Sequence, residues 1–146
     1  ALVSASKRIF DIENLQNFVE AMNASPADLL MGIFEQGQHI GNVKIGPIDP
    51  HHQHASIGLL IGNRSAWGKG YATEVIRAVT QYAIQHLNVY KMIAGCYASN
   101  IASYKAFIKA GYAEESRLKE YWVLDGHRED HLQLGITAVQ WQAQKQ

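Results

Sequence analysis

The stretch Ser65-Ala-Trp-Gly-Lys-Gly-Tyr-Ala-Thr-Glu-Val75 sets two glycines around a lysine and runs straight into an apolar helical pattern. A helix start leaves backbone N–H groups without intrahelical acceptors and carries partial positive charge. Glycine at that point lets a bulky anion approach the main chain closely. The expected ligand group is therefore a phosphate, more specifically a pyrophosphate, held by backbone amides. Two familiar glycine loops do not fit. The phosphate loop of Walker A type needs a glycine that is missing at the required spacing, since Gly62 lies too far back. The dinucleotide fingerprint is met at Gly68 and Gly70, but Thr73 stands where its last glycine belongs. The plain alternative is a tight strand-to-helix turn.

Working outward, Ala55 to Ile61 reads as a strand and residues 62–65 as a turn. The helix that follows spans roughly Gly70 to His86, with Ala72, Val75, Ile76, Val79, Ala83 and Leu87 along one stripe. Lys91 to Ala98 is mostly apolar, as an interior strand would be. A second helix covers about Ile101 to Ala110 and closes at Gly111. Upstream, Asp11 caps a helix to Met22, and Pro26 ends that region. Leu29 to Phe34 and Ile40 to Ile45 form a hairpin through Gly37, after which Pro47 and Pro50 break the chain before a histidine-rich loop. Downstream, Tyr121 to Leu124 and Asp130 to Ile136 are strands joined by a turn at Asp125-Gly126. The order predicts an α+β (mixed α/β) fold: one domain over 1–146, with a central mixed, mostly antiparallel sheet and helices on both faces. The start at Ala1 leaves room for a first strand outside this sequence.

Composition narrows the function. Lys+Arg and Asp+Glu are both 13, so no net field draws nucleic acid or an anionic membrane, and any bound anion is held by local geometry. With 47% hydrophobic and 18% charged residues, the 146-residue chain is globular in type. Its single cysteine, Cys96, has no internal disulfide partner, which suits a reducing cytoplasm. No apolar run reaches transmembrane length, and no signal peptide is read.

The segments resemble the GNAT superfamily of acyl-CoA-dependent N-acetyltransferases, in the branch of Rim-type protein N-terminal and amino-sugar-nucleotide acetyltransferases. Its loop is Q/R-x-x-G-x-G/A; Trp67-Gly-Lys-Gly-Tyr-Ala72 matches it, with Trp67 in the first place. Asn100 to Tyr112 is similar to the family's N-x-x-S/A…G-F/Y helix, and Glu115 to Asp130 to the branch's closing hairpin. The resemblance implies acetyl-CoA as co-substrate, with no metal. It implies that Leu59, Leu60 and Ile61 splay from the Lys91–Ala98 strand to admit pantetheine. Trp67, Gly68, Lys69, Gly70, Tyr71, Ala72 and Thr73 would take the pyrophosphate, and Asn100 and Ser103 the pantetheine arm.

The chemistry then needs a neutral amine, an oriented thioester and a proton for the departing thiolate. Many relatives use a tyrosine where this chain has Phe107, which cannot donate. The resemblance turns to Ser103 as the acid, one turn after Asn100; its bland alternative is a hydroxyl that orients or stabilises. Tyr104 is expected in the core. Glu120 is the candidate base, against the commoner reading of a solvated charge. Glu74 favours the helix start, and Asp130 orients Arg128 or the hairpin. His51, His52 and His54 are expected on an exposed loop rather than on a metal, with His54 as a relay if that loop borders the acceptor. Cys96, Trp122 and Trp141 are expected as packing. The resulting expectation is an N-acetyltransferase working on a protein N-terminus, an amino sugar or a small amine, as a monomer or homodimer. The alternative is a CoA-binding module without chemistry, an idea kept open by Phe107.

Overall fold

The computed structural model describes residues 3–4, 28–35, 38–61 and 70–144. The expected helix from Asp11 to Met22, the stop at Pro26, the Gly37 turn and residues 62–69, with Trp67, Gly68 and Lys69, lie outside them. Seven strands are described: β1 (Val3–Ser4), β2 (Leu29–Glu35), β3 (Gln38–Asp49), β4 (His54–Ile61), β5 (Lys91–Tyr97), β6 (Ala113–Leu124) and β7 (His127–Thr137). Helix α1 (Tyr71–His86) follows β4, α2 (Ile101–Ala110) follows β5, and α3 (Ala138–Gln144) follows β7. The strands form one sheet in the order β1-β2-β3-β4-β5-β7-β6. Only β1–β2 and β4–β5 are parallel pairs; the others run antiparallel. This is the mixed, mostly antiparallel α+β class read from the sequence.

Alternation builds the core. Leu29, Met31 and Ile33 of β2, Val43 and Ile45 of β3, Met92 and Ala94 of β5, and Leu132, Leu134 and Ile136 of β7 are buried at every second position. They join one cluster with Val75, Ile76 and Val79 of α1 and Phe107 of α2. Two polar pairs sit inside it. The Thr80 and Tyr112 hydroxyls lie 2.7 Å apart, and Trp141 Nε1 donates to Gln81 Oε1 at 2.6 Å, so α3 is pinned to α1 by a buried bond. Burial pushes the Tyr112 hydroxyl well above the ordinary tyrosine range, keeping it neutral.

Helix α2 carries both of its end signals. Asn100 Oδ1 accepts from the Ser103 amide at 3.2 Å, and Gly111 closes the helix at φ 109° with its N–H turned back to Ile108. A side chain at Gly111 would also run into Gln144, whose amide donates to the Ala110 carbonyl.

Three elements differ from the sequence reading. Strand β3 does not stop at Pro47 but reaches Asp49, with a register shift between Ile45 and Ile48 that accommodates the proline. Strand β6 starts eight residues before Tyr121, and α3, absent from that reading, opens on a capping box in which the Thr137 amide donates to Gln140 Oε1 at 2.9 Å and the Gln140 amide to Thr137 Oγ1 at 3.1 Å. Among the described residues no helix is long and apolar enough to cross a membrane.

Candidate active site

Strands β4 and β5 pair at only three points, His54–Lys91, Ala55–Met92 and Ser56–Ile93. Beyond them β4 stays bonded to β3 as far as Ile61, and β5 to β7 as far as Tyr97, but not to each other. The backbone of β4 from Ile57 onward therefore presents an open edge. A cavity of about 400 Å³ occupies the seam, walled by Ile57, Gly58 and Leu59 on one side and Gly95, Cys96 and Tyr97 on the other. Cys96 belongs to the buried, helix-side face of β5, whereas Gly95 and Tyr97 belong to the opposite, exposed face. The cavity thus runs through the sheet.

On the helix side, Asn100, Ser103 and Phe107 line it from one face of α2. The Asn100 side chain is engaged as the helix cap. The Ser103 hydroxyl is half-buried and has no hydrogen-bond partner among the described residues. Phe107 is fully buried, meeting Tyr112 edge to face at 5.1 Å, and Tyr104 packs at the margin of the core. The turn leading into α2 is tied to β7: the Ser99 amide donates to Glu129 Oε1 at 2.7 Å and the Ala98 amide to the Asp130 carbonyl at 3.0 Å.

Helix α1 opens at Gly70, in the left-handed region at φ 82°, with no side-chain cap. Its first bond runs from the Glu74 amide to the Gly70 carbonyl, so the amides of Ala72 and Thr73 precede any acceptor within the helix. Among the described residues, chain neighbours aside, no atom lies within 4 Å of the place a Gly70 side chain would take. Of the expected cofactor residues, the structure brings together Leu59, Asn100 and Ser103 in the cavity. Leu60 and Ile61 continue the open β4 edge, and Gly70, Tyr71, Ala72 and Thr73 form the helix start.

The exposed face of the seam is aromatic. Trp122 Nε1 donates to His131 Nδ1 at 3.2 Å, and His131 Nε2 stands 3.4 Å from Gln133 Oε1. Indole nitrogen only donates, so Nδ1 accepts and Nε2 carries the imidazole hydrogen. Tyr97 meets Trp122 at 5.6 Å, and Tyr121 lies 4.8 Å from Trp122 and 5.3 Å from His131. Gly95 makes room for this: a Cβ there would lie 2.5 Å from His131 Cε1.

A bulge aims these rings. Leu118 faces His131 and Trp122 faces Glu129, so Lys119, Glu120 and Tyr121 stand opposite Asp130 alone. Asp130 holds the bulge, accepting from the Glu120 amide at 2.9 Å and from the Arg117 guanidinium at 2.9 Å, with Lys119 Nζ at 3.4 Å. Glu120 itself is exposed, at φ 52°, and does not line the cavity. The Asp130 partners found here are Arg117 and Lys119 rather than Arg128.

The Glu120 amide, then the Arg117 guanidinium, holds the Asp130 carboxyl below the usual aspartate range. A depressed folded value makes its contribution to stability fully present above the unfolded value of about 3.9 and lost as pH falls through the folded one. Melting temperatures of wild type and Asp130→Asn are therefore expected to differ at neutral pH and to converge in acid, measured by calorimetry across a pH series.

Two sequence expectations need amendment. Trp122 is not plain packing: it is part of the cavity wall and 37% exposed. Cys96 is buried as expected but also forms part of that wall, where burial, then the Glu114 charge, pushes its thiol up. Trp141 is packing, as read. The exposed rings of His51, His52 and His54 stand on the turn around Asp49, whose carboxylate accepts the amides of His51 and His52. His54 lies at the paired end of β4 and outside the cavity wall. His131 and Tyr97 were not singled out; a histidine and a glutamine alternating with leucines in β7 was the available signal.

Residues 5–113 match the family profile described as acetyltransferase (GNAT) domain. The chain belongs to the GNAT acetyltransferase family. This GNAT chain is 33% identical over 84 residues to a probable N-acetyltransferase, YjcK, of Bacillus subtilis (strain 168), covering 58% of this chain and 46% of that one. It is 27% identical over 86 residues to the [ribosomal protein uS5]-alanine N-acetyltransferase of Escherichia coli (strain K12), covering 58% and 43%. The chain thus spans about half the length of the curated relatives it matches. Among solved structures, the spermidine N-acetyltransferase SpeG of Vibrio cholerae in complex with CoA and spermine superposes with a TM-score of 0.75 at 21% identity, over 89% of this chain and 77% of that one. At that identity the likeness establishes the fold.

Proposed function

We propose that this GNAT protein is an acyl-CoA-dependent N-acetyltransferase that moves the acetyl group of acetyl-CoA to a primary amine by direct attack. The observation that carries the reading is the seam: two parallel strands part after three residue pairs and leave a cavity between the open edge of β4 and the facing residues of β5 and α2. In this reading Leu59, Leu60 and Ile61 offer their backbone to the pantetheine arm. Residues 67–73 take the pyrophosphate: Trp67, Gly68, Lys69 and the helix start from Gly70 to Thr73. Asn100 keeps α2 in place beneath the arm. Acetyl-CoA supplies the activated acyl group.

The Ser103 hydroxyl gives its proton to the departing sulfur, and water reaching the open seam replaces it. Glu120, exposed on the bulge beside Tyr121, is the candidate that removes the amine proton; lying outside the wall, it would work through a water. The acceptor is a protein N-terminus or an amino sugar or small amine, which fits relatives named for an alanine N-terminus and for spermidine. The reading includes a reducing, cytoplasmic setting and requires no metal, nucleic acid or membrane. A second reading, a CoA-binding module without chemistry, draws on the buried Phe107 in place of a tyrosine.

Two measurements test these readings together. Acetyl-CoA at a hundred times its Kd should stabilise the fold by about 2.7 kcal/mol, raising the melting temperature. An amine panel should release free CoA thiol. A melting temperature unmoved by millimolar acetyl-CoA would remove both readings, and a rise without thiol release on any amine would favour the second.

A further inference from the structure

We infer that Trp122, held in place by His131, forms with Tyr97 an acceptor subsite on the exposed face of the seam, and that it takes a primary ammonium carried on an aliphatic stem. The inference rests on the proposed acetyl transfer and names its acceptor class. Its first support is position. The cavity runs through the sheet, and its helix side is occupied by Asn100 and Ser103, the residues assigned to the cofactor, together with Phe107. A second ligand reaching the same cavity meets the other face, where Tyr97, Trp122 and His131 stand.

The second support is chemistry. The rings do not stack on one another: Tyr97 meets Trp122 at 78° in the cavity wall, and Tyr121, outside that wall, meets it at 87°. Indole and phenol faces attract an ammonium group, and their apolar area suits a hydrocarbon stem.

The third support is that the arrangement is fixed rather than incidental. A partly exposed tryptophan needs no particular orientation to contribute packing. Here its N–H is aimed at His131, His131 at Gln133, and Gly95 leaves the space that the imidazole fills. The Asp130-held bulge brings Tyr121 over the same ring. His131 is thus a positioning residue: it acts on the acceptor through Trp122.

The test combines kinetics with the indole N–H resonances of the CoA-saturated full chain. The three tryptophans give three such signals, and Trp122→Phe identifies that of Trp122. His131→Phe keeps a ring but removes the acceptor nitrogen. It is expected to raise the acceptor KM roughly tenfold, the size of one lost hydrogen bond, with the KM for acetyl-CoA within about twofold. His131→Asn returns an acceptor atom near the Nδ1 position and recovers most of the loss. Gly95→Ala, which displaces the imidazole, acts in the same direction as His131→Phe.

The probes are propylamine, an alanine-first tripeptide amide and glucosamine. The first two, representing a free alkylamine and a peptide N-terminus, move the Trp122 resonance, and whichever binds more tightly identifies the source of the ammonium. An unchanged acceptor KM in His131→Phe, a resonance moved by glucosamine alone, or one unmoved across the panel overturns the inference. A moved resonance without thiol release supports the subsite and removes the enzymatic reading instead.

Discussion

Gly70→Glu is expected to erase the stabilisation that acetyl-CoA gives the wild type and to lower turnover at least a hundredfold. Two separate effects combine. Gly70 sits at φ 82°, a conformation that costs an L-residue about 1–2 kcal/mol, so the substitution strains the turn from which α1 starts. It also sets a carboxylate at the helix start, where a diphosphate is to be held by amides, and like charges repel. Among the described residues nothing beyond the chain neighbours lies within 4 Å of the new side chain's first carbon, so conformation and charge carry the effect. Gly70→Asn separates the two: asparagine tolerates the left-handed region and brings no charge, so it should keep most of the stabilisation. Differential scanning calorimetry with and without acetyl-CoA decides it, and a glutamate variant that still gains stability contradicts the assigned cradle.

Ser103→Ala is expected to lower kcat roughly 10²–10³-fold while the Kd for acetyl-CoA stays within about twofold. The variant is informative because the cap of α2 uses the Ser103 amide and not its hydroxyl, so Asn100 keeps its bond and the helix its start. Alanine is also the better helix former. Whatever is lost therefore belongs to the hydroxyl. Single-turnover thiol release is the measurement, and an unchanged rate would assign the proton to water alone.

The residues that announced this fold are those whose signals are local. Gly111 marks the end of α2 because a cap acts within one turn of chain; Asn100, expected on the pantetheine arm, turns out to cap its start. The α1 stripe was legible because its residues all face one core; only Leu87, at the C-cap, is half-buried. Strand β6 gave no such signal. Its first seven residues, Ala-Glu-Glu-Ser-Arg-Leu-Lys, are exposed and mostly polar, and it is a strand because β7 supplies the ladder. Ladder formation depends on a partner distant in sequence.

The candidate site divides in the same way. Ser103 and the glycine loop were legible as candidates because each belongs to a short motif. Trp122 and His131 meet only through a bulge whose three residues face one aspartate, and no spacing rule within the sequence contains that offset. Gly95 is similar, since its value lies in the imidazole packed across the neighbouring strand.

The parting of β4 and β5 bears on the order of events in the proposed reaction. With a doorway on either side of the sheet, neither guest must leave before the other enters, and a ternary complex can form from either direction. Initial-rate plots for such an enzyme intersect instead of running parallel, and a dead-end mimic of one guest leaves the other's doorway open. A single molecule threaded through both doorways would have to be made inside the protein from its two halves, or be slender enough to slip between the strands.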